Sequence, residues 1–256
     1  MAEFFELVKN IAAKPSILKP QTHIFLLSHM RANTSLLGHI LGEHDEINGY
    51  YEMHIGYYSW KSFLRQKSKY FAQHPKEVVK KNIFDKILHD GHGVTDYILK
   101  NSSSKFLISL RQPEITVRST VAMFQKNLPN HEFTDPDVVT NYYINRADSL
   151  ATYSEKLKSC YFYYDAEELI DNSNETLKRI SEFLELNAPL KEKFSPKKLT
   201  GVGDGGDHTG NLMTGNIIKK TNKYDDIKLT ENQINTLELK YSQVRKVLIK
   251  NSSSCR

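Results

Sequence analysis

His23-Ile24-Phe25-Leu26-Leu27 is an apolar run of strand length, and Ser28-His29-Met30-Arg31-Ala32-Asn33 carries it at once into Thr34-Ser35-Leu36-Leu37-Gly38-His39-Ile40-Leu41. The run reads as a strand of a parallel sheet, because covering both faces removes polar alternation. The apolar residues at 36, 37, 40 and 41 have helical spacing. Strand, polar loop and helix in immediate succession form the opening unit of an alternating α/β fold.

The pattern recurs. Lys105 to Leu110 is a second strand candidate; Arg111 stands at its end, and Pro113 suits the first turn of a helix carrying Val117, Val121 and Phe124. A third strand, Tyr161 to Tyr164, gives way to Asp165-Ala166-Glu167-Glu168-Leu169-Ile170. A helix from Glu175 to Leu186 follows, with Leu177, Ile180, Phe183 and Leu184 on one face. Further helices are expected over 137–157 and 231–250. The expectation is an α/β, three-layer, P-loop-like fold with a central parallel sheet flanked by helices, in one domain over residues 1–256. A glycine-rich mobile loop is expected at about 201–216, and a short tail at 251–256.

A chain of 256 residues that is 39% hydrophobic can bury one sizeable core. Its net charge of +5 is a mild excess that helps attract an anionic ligand without indicating a nucleic-acid binder. Glu3 and Glu6 stand where a secretory signal would be basic, and no apolar stretch approaches a membrane span, so a cytoplasmic protein with no membrane partner is expected. Cys160 opens an aromatic run expected to be buried, and Cys255 lies in a Ser-rich tail; free thiols are expected.

In open α/β sheets, ligands sit at the carboxyl ends of strands, where helix N-termini offer N–H groups to anions. The loop from Ser28 to Ser35 is so placed, with Arg31 as its cation and Ser28, Thr34 and Ser35 as hydroxyls. It lacks the glycines and lysine of a nucleotide-triphosphate P-loop. Arg111 and Ser119 make a second candidate anion site. Glu52, in Gly49-Tyr50-Tyr51-Glu52-Met53-His54, is a carboxylate among aromatics, a setting suited to a general base. His89-x-x-His92 could line one helix face, but no cysteine or carboxylate cluster completes a metal site, and no metal is expected.

Together, Ser28-x-x-Arg31-x-x-Thr34-Ser35-Leu36-Leu37 after a strand, Glu52 after the first helix of that unit, Arg111-x-Pro113 with Ser119, and Tyr164-Asp165-Ala166-Glu167-Glu168-Leu169 resemble the sulfotransferase family that uses 3'-phosphoadenosine 5'-phosphosulfate (PAPS). The likeness covers most of residues 22–190. It implies that Arg31, Asn33, Thr34 and Ser35 hold the 5'-phosphosulfate, and that Arg111 and Ser119 hold the 3'-phosphate. It further implies that Glu52 takes the acceptor's proton, with His89 as rival base, and that Lys86 lies near the transferred group. The segment Gly201 to Lys220, with Lys219 and Lys220, falls where relatives close over the donor's 3'-phosphate end.

Ala32 and Asn33 stand where the family commonly has Ser and Gly, although Asn still tolerates a left-handed turn. The implied reaction is metal-free in-line transfer of a sulfuryl group to a hydroxyl or amine of a small-molecule acceptor. Tyr50, Tyr51, Tyr57, Tyr58 and Trp60 read either as a wall for that acceptor or as core. Two other readings are a noncatalytic protein that binds a nucleotide or a sulfated ligand, and a small-molecule kinase with a degenerate P-loop.

Overall fold

The computed structural model describes residues 2–202, 210–219 and 224–253. Its sheet has five strands, β1 (Thr22–Leu27), β2 (Ile47–Asn48), β3 (Asn82–Ile87), β4 (Ser104–Leu110) and β5 (Tyr161–Asp165), in the order β2-β3-β1-β4-β5 with every neighbouring pair parallel. The expected strands are β1 (Thr22–Leu27), β4 (Ser104–Leu110) and β5 (Tyr161–Asp165). Along β1, Phe25 and Leu27 enter one core while Ile24 and Leu26 enter the other. Both faces are covered, which is why the run shows no polar alternation.

Two further strands, β2 (Ile47–Asn48) and β3 (Asn82–Ile87), extend the sheet beyond β1 and were not anticipated. β3 reads Asn-Ile-Phe-Asp-Lys-Ile, half of it polar, yet every residue is buried. Its polar groups are satisfied inside the fold. Asp85 accepts from Tyr57 Oη at 2.6 Å and from the Met53 and Lys86 amides at 2.9 and 2.8 Å. Lys86 Nζ donates to Ser35 Oγ at 2.9 Å.

Helices α2 (Thr34–Glu43) and α8 (Ser173–Leu184), with the short α7 (Glu168–Asp171), cover one face through Leu37, Ile40, Leu41, Leu169, Leu177 and Ile180. On the other face lie α3 (Trp60–Gln73), α5 (Pro113–Asn127), α6 (Pro136–Leu157) and α9 (Glu231–Asn251), contributing Tyr70, Val117, Tyr143, Leu150 and Leu237. α1 (Ala2–Ala13) packs on α3, and the single turn α4 (Asp96–Leu99) joins β3 to β4. The expected three layers are therefore present. Pro113 occupies the first turn of α5, where its missing N–H costs nothing. No helix among the described residues is long and apolar enough to cross a membrane.

Two expectations are corrected. Cys160 is exposed, because it sits in the turn before β5 and only from Tyr161 does the chain enter the sheet; Cys255 lies outside the described residues. His89 and His92 lie in a turn between β3 and α4 and not along a helix. The aromatic group divides: Tyr50, Tyr51 and Tyr57 belong to the core, whereas Tyr58 and Trp60 are exposed. The chain leaves β1 for β2 and β3 on one side, then β4 and β5 on the other, so the carboxyl end of β1 is the topological switch point.

Candidate functional site

The loop at that switch point is held in an uncommon conformation. Arg31 and Asn33 both have left-handed backbones, φ 63° and 55°, with Ala32 fully buried between them. Such a conformation costs a non-glycine residue about 1–2 kcal/mol, least for Asn. Asn33 offsets the cost by donating from Nδ2 to the Ala166 carbonyl at 2.8 Å, tying the loop to the end of β5. The position that departs from the usual glycine thus keeps the turn.

Ser28 does not face a ligand. It is fully buried, donating from Oγ to the Ser109 carbonyl at 3.0 Å and accepting from Ser109 Oγ at 2.8 Å, a stitch between β1 and β4. Thr34 and Ser35 open α2, with the Ser35 hydroxyl accepting from Lys86. Arg31 turns away from α2 toward α5: its Nε donates to Ser119 Oγ at 2.9 Å. Arg111 Nη1 donates to the Arg31 carbonyl at 2.6 Å. The two anion sites expected to be separate therefore meet, and Ser119 is buried beneath the Arg31 guanidinium.

His29 locks this junction. Burial pushes its pKa down to about 3, so the ring is neutral at physiological pH. Its Nδ1 donates to the Met30 carbonyl at 2.8 Å while Nε2 accepts from the Arg111 amide at 3.1 Å. Burial also lowers the pKa of Arg111, whose Nε lies 3.8 Å from Glu167 Oε1.

A cleft of about 770 Å³ opens here, bordered by Arg31, Asn33, Ser35, Arg111, Arg118 and Lys219. Arg118 was not anticipated. It reaches the cleft from α5, paired to Glu114 at 2.6 Å and donating to the Ile227 carbonyl at 2.8 Å. The Glu114–Arg118 spacing on a helix was the available signal. Glu114, Glu167, Asp171, Asp225 and Glu238 also line the cleft, so positive charge is local to the arginines rather than spread over its walls. Lys219 is exposed at the rim, and Lys220 and residues 203–209 lie outside the described residues.

Beside the cleft, Ser35 is bonded to Lys86, and the neighbouring Asp85 reaches the segment of Glu52. Asp85 accepts from the Met53 amide and so fixes the segment that carries Glu52, which is 6% exposed, across the end of β3. Desolvation outweighs these hydrogen bonds and raises the Asp85 pKa to about 7. His54, also left-handed at φ 49°, places Nδ1 3.6 Å from Glu52 Oε1. His89 is partly buried, packs its ring 5.7 Å from that of Tyr142, and is pushed down to about 4, chiefly by burial. Arg146, fully buried and not anticipated, donates to the Ser28 and Ile87 carbonyls and pairs with Asp90 at 2.6 Å. It ties the ends of β1 and β3 to α6. Among the described residues, no three His, Cys, Asp or Glu side chains are placed to hold a metal ion.

No family model matches the chain, and neither does any curated protein. Solved structures do. The sulfotransferase domain from the curacin biosynthetic pathway superposes with a TM-score of 0.61 at 14% identity, over 89% of this chain and 98% of its own. The sulfotransferase domain of the Synechococcus PCC 7002 olefin synthase gives 0.61 at 16% identity, over 90% and 96%. Mouse sulfotransferase SULT7A1, complexed with PAP, gives 0.58 at 14% identity, over 94% and 92%. The resemblance seen in the sequence is borne out in the architecture: this chain has the fold of the sulfotransferases.

Proposed function

We propose that the chain binds PAPS in the cleft between β1, β4 and α5 and transfers its sulfuryl group to a hydroxyl or amine of a small molecule. The observation that carries this reading is that Arg31, Arg111 and Arg118 line one cleft with the N-terminus of α2, where Ser35 is bonded to Lys86, whose neighbour Asp85 holds the Met53 amide beside Glu52. The cleft volume suits a nucleotide, and the arginines with the α2 N-terminus suit phosphate and sulfate oxygens.

In this reading Arg111 and Arg118 hold the 3'-phosphate end. Ser35, the α2 amides and Lys86 face the sulfuryl end, neutralising charge as the acceptor oxygen or nitrogen bonds to sulfur and the bond from sulfur to the phosphate oxygen breaks. Glu52 receives the proton that the acceptor loses. Arg31, whose guanidinium rests on Ser119, orders the wall between the two ends. His89, held neutral and part of a packed turn, is the poorer base by position.

Calorimetry with the desulfated bisphosphate PAP against ATP tests the donor. PAP should bind at least about tenfold tighter. In an acceptor screen, Glu52→Gln should keep PAP affinity within about twofold and lower kcat by about 10²–10⁴. Preference for ATP would instead indicate a kinase, and tight PAP binding without turnover on any acceptor would indicate a binding protein.

A further inference from the structure

Ser119, which the sequence resemblance assigns to the donor's 3'-phosphate, does not border the cleft. It is 2% exposed, and its hydroxyl is covered by the Arg31 guanidinium, whose Nε donates to it at 2.9 Å. The side chains that border the cleft there are Arg31 and Arg111. They are directly joined, because Arg111 Nη1 donates to the Arg31 carbonyl at 2.6 Å. Burial lowers the Arg111 pKa, and the charge of Arg31 lowers it further, so the two cations feel one another. Left-handed backbones at Arg31 and Asn33, on either side of the buried Ala32, let Arg31 lie over α5 while Thr34 and Ser35 open α2.

The nearby carboxylates are committed elsewhere. Glu114 is paired with Arg118 at 2.6 Å, and Glu167 Oε1 lies 3.8 Å from Arg111 Nε. Among the described residues, the side-chain partners of Arg31 are both neutral: Ser119 Oγ and, at 4.0 Å, Met123 Sδ. Nη2 of Arg31 and Nη2 of Arg111 have no hydrogen-bond partner among the described residues. Adjoining guanidiniums repel each other, and a dianion between them relieves the repulsion. A phosphate adds oxygens that can accept from both forks.

We propose that Arg31 is a ligand of the donor's 3'-phosphate, forming with Arg111 a two-arginine clamp. Ser119 is then a positioning residue that aims the Arg31 guanidinium and does not itself touch the phosphate. The proposal rests on the reading of the cleft as the PAPS site. It adds that the loop after β1 reads the 3'-phosphate through Arg31, so discrimination between bisphosphate and monophosphate nucleotides resides in that loop.

Calorimetry with PAP, adenosine 5'-monophosphate and adenosine 3'-monophosphate tests it. Wild type should bind PAP at least about a hundredfold more tightly than the 5'-monophosphate. In Arg31→Gln that ratio should fall at least about tenfold through loss of PAP affinity, with affinity for the 5'-monophosphate kept within about twofold. Arg31→Lys, which keeps the charge, should recover part of the ratio. Ser119→Ala should lower the ratio several-fold in the wild-type background and leave it unchanged in the Arg31→Gln background. A wild-type ratio below about tenfold, or a ratio that survives Arg31→Gln, would overturn the assignment while leaving the donor reading in place. So would PAP and the 5'-monophosphate weakening equally in both Arg31 variants while the 3'-monophosphate is unaffected, which places the side chain at the 5' end. An undiminished effect of Ser119→Ala in the absence of Arg31 would make the serine the ligand and overturn it as well. Failure of wild type to bind PAP would overturn the donor reading, and this proposal with it.

Discussion

Asp85 shows how one residue serves both fold and site. It is fully buried, and its three hydrogen bonds are outweighed by desolvation, which raises its pKa from 3.8 to about 7. Between about pH 4 and 7 the unfolded chain has lost a proton that the folded chain keeps. This group's contribution to stability is therefore complete below about pH 4 and declines as pH rises toward 7, by about 1.4 kcal/mol per unit. Asp85→Asn cannot ionise and retains a polar group opposite Tyr57, so its stability relative to wild type should climb across that window. Urea unfolding at several pH values measures the difference, and parallel curves for the two proteins would refute it. Asn33 is the complementary case. Its tolerance of a left-handed backbone was legible from residue type, but its bond to Ala166 was not, because that partner lies far along the chain and is brought near only by the sheet.

At the scale of elements, strands and helices meet at their ends through buried polar groups. Arg146 on α6 is the clearest instance: the Ser28 and Ile87 carbonyls after β1 and in β3 both accept from its guanidinium. Arg146→Met would keep much of the volume and take this partner from the Ser28 carbonyl, while the Ile87 carbonyl keeps the Ser28 amide at 3.3 Å; it should cost about 1–3 kcal/mol in denaturant unfolding. A loss under about 1 kcal/mol would mean that water replaces the guanidinium. β1, β4 and β5 were readable because apolar runs signal strands buried on both faces. β3 was hidden by Asn82, Asp85 and Lys86, whose partners, from Tyr57 to Ser35, lie on other elements. The helix boundaries shifted by only a residue or two, since caps and periodicity act locally.

For the whole molecule, the donor cleft links stability to binding. A ligand that binds only the folded chain adds about 2.7 kcal/mol at a hundredfold excess over its Kd, or about 5–10 °C in Tm for a domain of this size. PAP at that excess should raise Tm by this amount and ATP at the same concentration should not, as differential scanning fluorimetry would read. Absence of any PAP shift would count against the cleft as a nucleotide site. By itself, the sequence determined the alternating architecture, the loop after β1, and the place of Arg31 and Arg111 at the carboxyl ends of strands. Those are properties of local pattern and of the rule that parallel strands present their carboxyl ends together. Only the tertiary structure decided that Arg31 rests on Ser119, that Arg118 enters the cleft, that Ser28 is internal, and that Lys69 of α3 holds the Met53 carbonyl beside Glu52. Such contacts depend on how side chains from distant segments compete for the same buried space, and no local pattern encodes that competition.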